Sequence, residues 1–481
     1  MTVRAGLLRC VVAGALAGCG GGGPTGPSGA PVVLIVNGAT LPSAPLGATV
    51  VIQGSNFGAS QAAGSGVVVF SNGSAGPDTA VIASAGDWSN TLIVTTVPAG
   101  AVTGNMVVKT SGGTSTPVTF TVVAKVAFSP STVSWTSTTG LPVGLSGHAV
   151  AAATLPGVAP TSVVYVVGGA DSTNVPRDTI IYSTVTNTGT LGAWTNTAEL
   201  PVKRAFAAAV VATPTNSLVS GASYLYVLGG DSTASGKPVA TVYVGTLSAT
   251  GAVSSWSTTT SLPAPAHSLG VVIFNGSIYI AGGSGSGNVP LATVYRAAIQ
   301  SNGSLGSWKA EASLPFARSY FAFGVSGTYL YAVGGDSGTV TPNDSSLAAG
   351  AISDVVYAHI DVRSGDVTAA GWTGGSNKLK KAVGKHTAVV AGGDVLVTGG
   401  LYNGASTGST EETYAALNAD GTTSSFNGAT GSNTISSAGG GNLFNHAAVG
   451  YQDASGAFHV LVVGGDDVNT PTKKHKGIFY Y

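Results

Sequence analysis

A short apolar segment that ends on two glycines recurs six times along this chain. Its clearest copy is YLYVLGG at residues 224–230, and the first glycines of the six pairs lie at positions 168, 229, 282, 334, 399 and 464. Continuous apolar runs of this length are typical of strands that are buried on both faces. Because the unit returns after 52 to 65 residues, the pattern predicts a propeller-like array in which each repeat is one small sheet.

Each repeat can be divided further into four strands. In the second repeat, small residues at 206–212 precede the glycine-pair strand, and two later strands carry Tyr243 and Trp256. Small residues suit crowded strands near an axis, whereas large aromatic side chains suit the wider gaps at the rim. The equivalent aromatic residues are Tyr182, Tyr295, Tyr357, Tyr414 and Tyr480, and Trp194, Trp308 and Trp372, with Phe426 in the fifth repeat. This order resembles the kelch repeat, whose four strands form one propeller blade.

The two ends of the repeat region are offset from each other. The last repeat stops at Tyr481 after its third strand, whereas a strand around Trp135 precedes the first repeat and belongs to none. Pairing these two pieces would remove two exposed sheet edges. We therefore expect residues 126–481 to form a six-bladed kelch-type β-propeller, closed by an outer strand around Trp135.

Residues 31–124 contain six or seven short strands separated by turn residues, which is typical of an immunoglobulin-like sandwich. The segments GATVVIQGSNFG and WSNTLIVTTVPAGAVTG resemble the IPT/TIG family, in which Gly54, Asn56, Phe57 and Gly58 form the turn after the second strand. The resemblance implies a spacer or a binding module, of which we favour the spacer. The fold class expected for the whole chain is all-β.

Residues 1–19 resemble the signal peptide of bacterial lipoproteins. An apolar stretch at 11–18 ends in the letters LAGC, which match the lipobox of that family. The resemblance implies lipidation of Cys19 and anchoring at the outer membrane, on its periplasmic or cell-surface face. Ordinary signal cleavage nearby is the alternative. Residues 20–30 are rich in glycine and proline and predict a flexible tether.

The chain of 481 residues has a formal net charge of zero, and 8% of its residues are charged. Such a chain has no overall field that would attract nucleic acid or an anionic membrane. Beyond the leader, no apolar run is long enough for a membrane-spanning helix. The expected partner is an extracellular glycan, polymer or protein, with membrane contact through the lipid anchor alone.

Few motifs point to catalysis. The sequence contains no phosphate-binding loop of the GxxxxGK[ST] type, no HExxH motif and no metal-type spacing of cysteine and histidine. Some kelch-like propellers are copper radical oxidases, but these need a tyrosine–cysteine crosslink, and residues 126–481 contain no cysteine. We therefore expect neither a cofactor nor a metal.

Polar residues at the blade entrances form a first candidate site. Arg204 and Arg318 follow their Leu-Pro pairs by three residues, His267 follows by four, and His386 stands at the head of an inner strand. In the kelch family this region lies beside the mouth of the central channel, which implies a polar ligand-binding ring. Hydrogen bonding between blades is the alternative.

Acidic residues follow four of the six glycine pairs. Their side chains either cap turns, as aspartate commonly does, or form a rim that binds calcium or another ligand. One of the loops that they begin, at residues 336–354, is long enough to carry recognition or to be passive decoration. The acidic residues are Asp171, Asp231, Asp336, Asp466 and Asp467.

Lysine is concentrated in two runs, which form a second candidate site. The repeat pattern assigns both runs to one face and to adjacent blades, so we expect an anion-binding patch for an acidic glycan or polymer. Solvated loop charge is the alternative. The residues are Lys378, Lys380, Lys381 and Lys385 in the first run and Lys473, Lys474, His475 and Lys476 in the second.

Three functions remain open on the sequence. We favour an exported, lipid-anchored binding or adhesion protein of the cell envelope. The first alternative is a sugar epimerase or mutarotase, because six-bladed kelch-like sialate mutarotases exist in bacteria; it would need an ionisable pocket at the channel mouth. The second is a scaffold for envelope proteins, which would expose an apolar or aromatic patch.

Overall fold

The computed structural model describes residues 29–36, 43–73, 78–82, 87–123, 130–155, 162–186, 188–214, 217–219, 221–233, 237–342, 347, 350–391, 393–403, 412–418, 420–428, 435, 442–452, 458–467 and 470–481. The expected signal peptide, Cys19 and most of the expected tether lie outside these residues. Within them, strands dominate, so the all-β prediction is confirmed. No helix in the described ranges is both long enough and apolar enough to cross a membrane.

The described residues between positions 29 and 123 form two sheets around a single core. One sheet has the order β1-β3-β6, and the other has the order β2-β9-β7-β4-β5, with β8 paired to β7. The strands are β1 Val32–Val36, β2 Ser43–Pro45, β3 Thr49–Ser55, β4 Val67–Asn72, β5 Asp78–Thr79, β6 Leu92–Thr96, β7 Ala101–Thr110, β8 Gly113–Thr114 and β9 Val118–Val123, with the short helix α1 at Gln61–Gly64.

Aromatic side chains fill the space between these two sheets. Phe70 and Phe120 meet edge to face with ring centroids 5.0 Å apart. The indole of Trp88 donates a hydrogen bond to the carbonyl of Phe57. The turn before it uses left-handed backbone at Asn56, with a φ of 61°, a conformation that asparagine tolerates better than most residues. The turn therefore lies where the sequence places it.

The remaining described residues contain six four-stranded antiparallel sheets, which we number I to VI in chain order. The outer strand of sheet VI is β10 Thr136–Ser137. Sheets I to III are β11 Ala149–Thr154, β12 Ser162–Val167, β13 Ile180–Thr184, β14 Thr195–Asn196; β15 Ala208–Ala212, β16 Ser223–Leu228, β17 Val242–Leu247, β18 Val253–Thr258; and β19 Gly270–Phe274, β20 Ser277–Ala281, β21 Val294–Ala298, β22 Lys309–Glu311.

Sheets IV to VI follow the same plan, with short extra ribbons beside the last two. Sheet V is β28-β29-β31-β32, and sheet VI is β34-β35-β38-β10. The strands are β23 Ala322–Ser326, β24 Tyr329–Val333, β25 Val355–Ile360, β26 Val367–Gly374; β27 Val383–Gly384, β28 Thr387–Ala391, β29 Asp394–Thr398, β30 Leu401–Tyr402, β31 Glu412–Ala416, β32 Asn427–Gly428; and β33 Leu443–Phe444, β34 Ala447–Gln452, β35 Phe458–Val463, β36 Asp466–Asp467, β37 Thr470–Lys474, β38 Ile478–Tyr480.

The first strands of the six sheets surround a common axis. Each of them contacts the first strand of the sheet before it and of the sheet after it, and β34 of sheet VI contacts β11 of sheet I. Successive sheets bury apolar side chains between them in separate clusters. The chain thus has a propeller-like arrangement, in which each sheet packs face to face on two neighbours.

A closed ring of six backbone hydrogen bonds runs around the axis. Each N–H donates to the carbonyl of the equivalent residue in the preceding sheet, with N···O distances of 2.6 to 3.4 Å. All six residues have left-handed backbone, with φ between 49° and 57°, which non-glycine residues keep only when their surroundings enforce it. The members of this axial ring are Gly147, Phe206, Ser268, Tyr320, Lys385 and Asn445.

The tryptophans at the rim link neighbouring sheets, which accounts for their recurrence in the repeats. Each indole N–H donates to a backbone carbonyl four residues beyond the equivalent aromatic residue of the preceding sheet, so the column ties neighbouring rims together. Phe426 has no N–H and cannot form this bond. The pairs are Trp194 with Thr139, Trp256 with Ala198, Trp308 with Thr260 and Trp372 with Ala312.

The segment before sheet I completes sheet VI. Thr136 and Ser137 of β10 pair in antiparallel register with Tyr480 and Phe479 of β38. Trp135, beside β10, is 1% exposed and lies in the core that sheets V and VI share. The last sheet therefore has no unpaired rim edge at this position.

The glycine pairs allow the sheets to approach one another closely. The first glycine of every pair has a φ of 56–63°, and the second has a φ of 87–109°. A Cβ atom on Gly168 would lie 2.2 Å from the carbonyl oxygen of Arg204 in the next sheet. These positions need glycine because both the backbone conformation and the contact exclude a side chain.

Candidate functional site

The arginines expected at the channel mouth point into the packing between sheets. Arg204 and Arg318 are 3% and 0% exposed, and each lies two residues before a member of the axial ring. The guanidinium of Arg204 lies over the ring of Tyr243, 5.2 Å from its centroid. The residues equivalent to the two arginines are Leu145, Ala266, Val383 and Leu443, all in the apolar clusters between sheets.

Three histidines occupy a second set of positions between sheets. Each follows an axial-ring residue, and its imidazole lies below the first glycine of the preceding sheet; for example, a Cβ on Gly334 would be 2.8 Å from His386. Burial lowers the pKa of His148 and His386 to about 4 and that of His446 to about 3. All three are neutral at pH 7. Leu269 and Phe321 hold the same position in sheets III and IV.

His267 is the one member of the predicted polar ring that borders the axis. Its imidazole lies 5.9 Å from the ring of Tyr320 and 6.4 Å from that of Phe206, both of the axial ring. Its two nitrogens contact the Ser268 hydroxyl at 3.1 Å and the Asn288 amide oxygen at 3.0 Å. Burial lowers the pKa of His267 to about 4, with the Asn288 bond opposing.

The predicted ring of Arg204, His267, Arg318 and His386 is therefore not assembled into one pocket. Arg204, Arg318 and His386 are packed between sheets, but the two arginines donate to carbonyls of their own sheets, at Lys203 and Gly334, and not to a neighbouring blade. The reason is the two-residue periodicity of extended chain, which turns neighbouring side chains to opposite sides. Spacing from the Leu-Pro pair predicts the position of a residue along the chain, but it does not determine the side of the backbone on which the side chain lies.

The long loop of sheet IV covers the axis. Its residues Val340 and Leu347 pack in one apolar cluster with Phe206, Tyr320 and Phe444. Leu347 is 0% exposed, and it forms a bridge with Asn403 of sheet V. The backbone N–H of Ala351 donates to the Asn403 side chain at 2.7 Å. The described residues of the loop thus pack over the axial ring instead of standing free.

Lys385 holds this loop in place from inside the axial ring. Its Nζ donates to the carbonyls of Thr341 and Pro342, each at 3.0 Å. The ammonium also lies 5.0 Å from the ring centroid of Tyr320 and 5.9 Å from that of Phe444. Lys385 is 2% exposed. The expectation that it belongs to a solvated anion-binding patch is wrong, because its donors already serve the protein.

Replacing Lys385 with methionine should loosen the loop over the axis. The change keeps the aliphatic stem but removes the donor to the Thr341 and Pro342 carbonyls, and loss of the bond to the buried Pro342 carbonyl costs about 1–3 kcal/mol. We expect faster limited proteolysis within residues 337–350 and a lower urea midpoint. Lys203→Met, at an exposed lysine, is the control. Equal cleavage rates in the two variants would contradict this role for Lys385.

The second lysine run is also largely internal. Lys474 Nζ and Asp466 Oδ1 are 2.5 Å apart, with both side chains at most 3% exposed, and Asp466 also accepts from Asn445 at 3.1 Å. His475 lies 3.6 Å from Asp467. Lys476 is exposed, and the Lys473 side chain lies outside the described atoms. Among the described side chains of this run, Lys476 alone is therefore exposed.

The two lysine runs belong to adjacent sheets, V and VI, as predicted, but they lie at different junctions between sheets. The N–H of Leu379, inside the first run, donates to Ser353 of sheet IV, whereas the carbonyl of Lys476 accepts from Leu141 at the entrance to sheet I. These two hydrogen bonds are equivalent in the repeat. They place the first run at the junction of sheets IV and V and the second at the junction of sheets VI and I, which is two junctions further around the ring. The expected single patch is therefore split.

The first run still presents cations to solvent. Lys378, Lys380 and Lys381 are exposed; Lys378 pairs with Asp354 at 2.7 Å, and Lys381 Nζ lies 4.7 Å from the ring centroid of Tyr402. Lys380, Lys381 and Tyr402 border a depression of ≈ 270 Å³. This depression combines cations with an aromatic side chain.

The acidic residues that follow the glycine pairs have different structural environments. Asp171 caps a turn by accepting from Thr173 and Val175 and pairs with Arg177 at 2.6 Å; against the effect of burial, these contacts lower its pKa to about 2. Asp231 is 2% exposed, and burial raises its pKa to about 7. No group of three or more potential metal ligands among His, Cys, Asp and Glu occurs in the described part of the chain.

An apolar rim on the same face was not predicted. Val143, Val202 and Phe316 are 54%, 45% and 57% exposed, and each directly follows a Leu-Pro pair. Val175 and Val289, in loops after glycine pairs, are 39% and 54% exposed. The shared position after Leu-Pro is a signal that sequence alone could have provided.

Comparison with known proteins adds little to this picture. No family model matches the chain, and no curated protein matches it either. Among solved structures, the one titled "Structure of YjhT" is similar to this chain with a TM-score of 0.49 at 13% identity, covering 71% of this chain and 95% of that one. A likeness of that degree carries no argument about function.

Proposed function

We propose that this chain is an exported binding protein of the bacterial cell envelope, anchored through lipid at Cys19. In this proposal the first two sheets are an IPT/TIG-like immunoglobulin domain that serves as a spacer, and sheets I to VI are a six-bladed kelch-type propeller. Support comes from the LAGC segment and the glycine–proline stretch after it, from the shared core of the first two sheets and from the closed axial ring.

One observation favours binding over catalysis: part of the protein's own chain packs over the axial ring. Val340 and Leu347 pack over the axial ring, and Lys385 donates to the loop that carries them. An epimerase or mutarotase needs an open pocket lined by ionisable groups. On the described face, the candidates Arg204, Arg318 and His386 are inside the packing, so recognition is left to the exposed outer loops.

We infer that the ligand is an acidic saccharide or polymer, bound at the depression beside Tyr402. An aromatic face packs against the apolar side of a sugar ring, and the ammonium groups of Lys380 and Lys381 attract carboxylates. Exposed cations bind anions in a strongly salt-dependent way because solvent ions screen them. The repeating charge of a polymer adds avidity where a single sugar binds weakly.

The proposal is tested by retention of the full chain on immobilised polygalacturonate and on a neutral galactan. Lys380→Ala/Lys381→Ala should weaken binding to the acidic polymer about tenfold, the effect of about 1.4 kcal/mol. Lys203→Ala/Lys237→Ala removes two lysines exposed elsewhere and should leave retention unchanged. Binding of the wild type should fall steeply with added salt.

Two results would contradict the acidic-glycan proposal: equal loss in both double variants, or retention that ignores salt. The second candidate function, a scaffold for envelope proteins, is favoured by the apolar rim at Val143, Val202 and Phe316. Protein partners use exposed apolar patches of this kind. Unchanged glycan retention in the Lys380→Ala/Lys381→Ala variant would favour the scaffold function at that rim instead.

A further inference from the structure

A second depression lies on the same face as the depression beside Tyr402, at the junction of sheets II and III. It has a volume of ≈ 290 Å³ and opens between residues 262–266 and strands β20 and β21. Leu262 and Ile280 are buried beside it, and Pro263 is exposed at its edge. Among the described residues that border it, none is charged. This depression is therefore apolar and open to solvent.

The depression of sheet III is the counterpart of the one in sheet V. Leu262 and Leu379 border them, and each lies six residues before a member of the axial ring. The N–H of each donates to a carbonyl two residues before the third strand of the preceding sheet. Apart from Tyr402, every residue that borders the depression of sheet V has an equivalent at the border of the other. The repeat therefore forms the same surface feature twice.

The two depressions differ in chemistry at their exposed edges. Lys380 and Lys381 of sheet V are replaced by Pro263 and Ala264 in sheet III, so the cationic edge becomes uncharged. An apolar group gains free energy by leaving water at such an edge. A carboxylate placed there would lose hydration and would meet no cation at the border. The depression of sheet III therefore suits a small, uncharged, apolar substituent.

Phe316 lies between the two depressions. Its side chain is 57% exposed, and, like Ala264 and Lys381, it is four residues before a member of the axial ring. These three exposed residues occupy one repeat position at three successive junctions, II–III, III–IV and IV–V. Because the axial hydrogen bonds close the ring, equivalent positions lie at one level along the axis. The two depressions and Phe316 therefore follow one another around the face.

We propose that these three junctions form an extended binding track for an acidic polysaccharide that carries methyl-ester or acetyl groups. This inference rests on the proposed function and specifies its ligand. Acidic units bind at Lys380 and Lys381, and a sugar ring packs against the exposed aromatic face of Phe316. An esterified unit places its apolar substituent in the depression of sheet III. The two ends thus contribute different forces: charge at sheet V and apolar burial at sheet III.

The test compares retention of the full chain on polygalacturonate and on partially methyl-esterified polygalacturonate, from low to high salt. Salt screens Lys380 and Lys381 but does not oppose burial of a methyl group. Wild type should therefore keep a salt-resistant component on the esterified polymer alone. Ala264→Gln, which makes the edge polar without changing charge, should reduce that component about fourfold, the effect of burying one CH₂ group. Val202→Gln, at the equivalent exposed position of sheet II, is the control.

The outcomes separate this inference from the proposed function. Equal salt-resistant retention in Ala264→Gln and Val202→Gln overturns the track, as does wild-type retention on the esterified polymer that salt abolishes; salt-sensitive binding at Lys380 and Lys381 survives either result. Phe316→Ser should weaken retention on both polymers, and unchanged values would also overturn the track. Failure of the wild type to bind either polymer contradicts the proposed function itself, and the track with it.

Discussion

Acidification from pH 7 to pH 4 should unfold this protein, and replacing His148, His386 and His446 with leucine should remove most of that sensitivity. The three imidazoles are buried between sheets, and burial lowers their pKa values to about 4, 4 and 3. The unfolded chain binds their protons near the ordinary value of 6.5, whereas the folded chain does not. Protons therefore favour the unfolded state as the pH falls.

The direction of this effect follows from linkage. A group whose folded pKa is lowered contributes stability that is complete above its unfolded pKa and is lost as the pH falls towards its folded pKa. The relevant window is pH 6.5 to about 4. Each pKa unit corresponds to about 1.4 kcal/mol, so each histidine contributes on the order of 3 kcal/mol. Three such groups are large beside a total stability of about 5–15 kcal/mol.

Other sheets of the same protein carry an apolar residue at this histidine position, so the substitution can be made in both directions. Leu269 and Phe321 already fill this position in sheets III and IV, so leucine is accommodated there. Conversely, Leu269→His should increase acid sensitivity. Urea midpoints between pH 7 and pH 4 measure both effects. Parallel pH profiles for the wild type and the triple leucine variant would show that other groups control acid unfolding. Asp231 is not such a group: because its pKa is raised in the folded state, acidification favours folding at this residue.

Replacing Trp135 with alanine should cost about 3–5 kcal/mol of folding free energy, as for other large buried aromatic residues. The indole is 1% exposed and packs between sheets V and VI against Leu396, Val460 and Phe479. The next two residues are the outer strand of sheet VI. Loss of the side chain removes both core volume and the anchor of the strand that completes that sheet.

Trp308→Ala is the matched control for this prediction. Trp308 holds the equivalent rim position in sheet III and is tied by one hydrogen bond to Thr260, but its side chain is only partly buried. Its removal should cost about 1–2 kcal/mol less than removal of Trp135. Guanidinium unfolding monitored by circular dichroism gives both values. An equal cost for the two variants would show that Trp135 has no special part in completing sheet VI.

The repeat pattern predicted the strands of the sheets closely. The glycine-pair segments are second strands, the segments with Tyr243 and Trp256 are third and fourth strands, and the strand around Trp135 pairs with β38. These features are local or periodic, so a single sequence records them. The axial ring was not predicted, because its members Phe206, Tyr320 and Lys385 have no common chemistry and share only a backbone conformation.

The candidate sites were predicted less well, for a physical reason. Sequence spacing located Arg318, His386 and Lys385 along their strands, but it did not determine whether each side chain faces the axis, a neighbouring sheet or solvent. Lys385 and Lys474 were predicted to be charged loop residues but are internal: two carbonyls accept hydrogen bonds from Lys385, and Lys474 forms an ion pair with Asp466. A charge can be buried only if partners from distant segments converge on it.

The sequence by itself determined the repeating units of this protein, because alternating small, apolar and aromatic positions encode strands and their order without reference to distant residues. The tertiary structure alone decided that a loop of sheet IV packs over the axial ring, that most candidate ligands for a catalytic pocket lie between sheets, and that Arg318 is fully buried. Those outcomes depend on which sheet lies beside which and on how closely the chains approach. No local pattern carries that information.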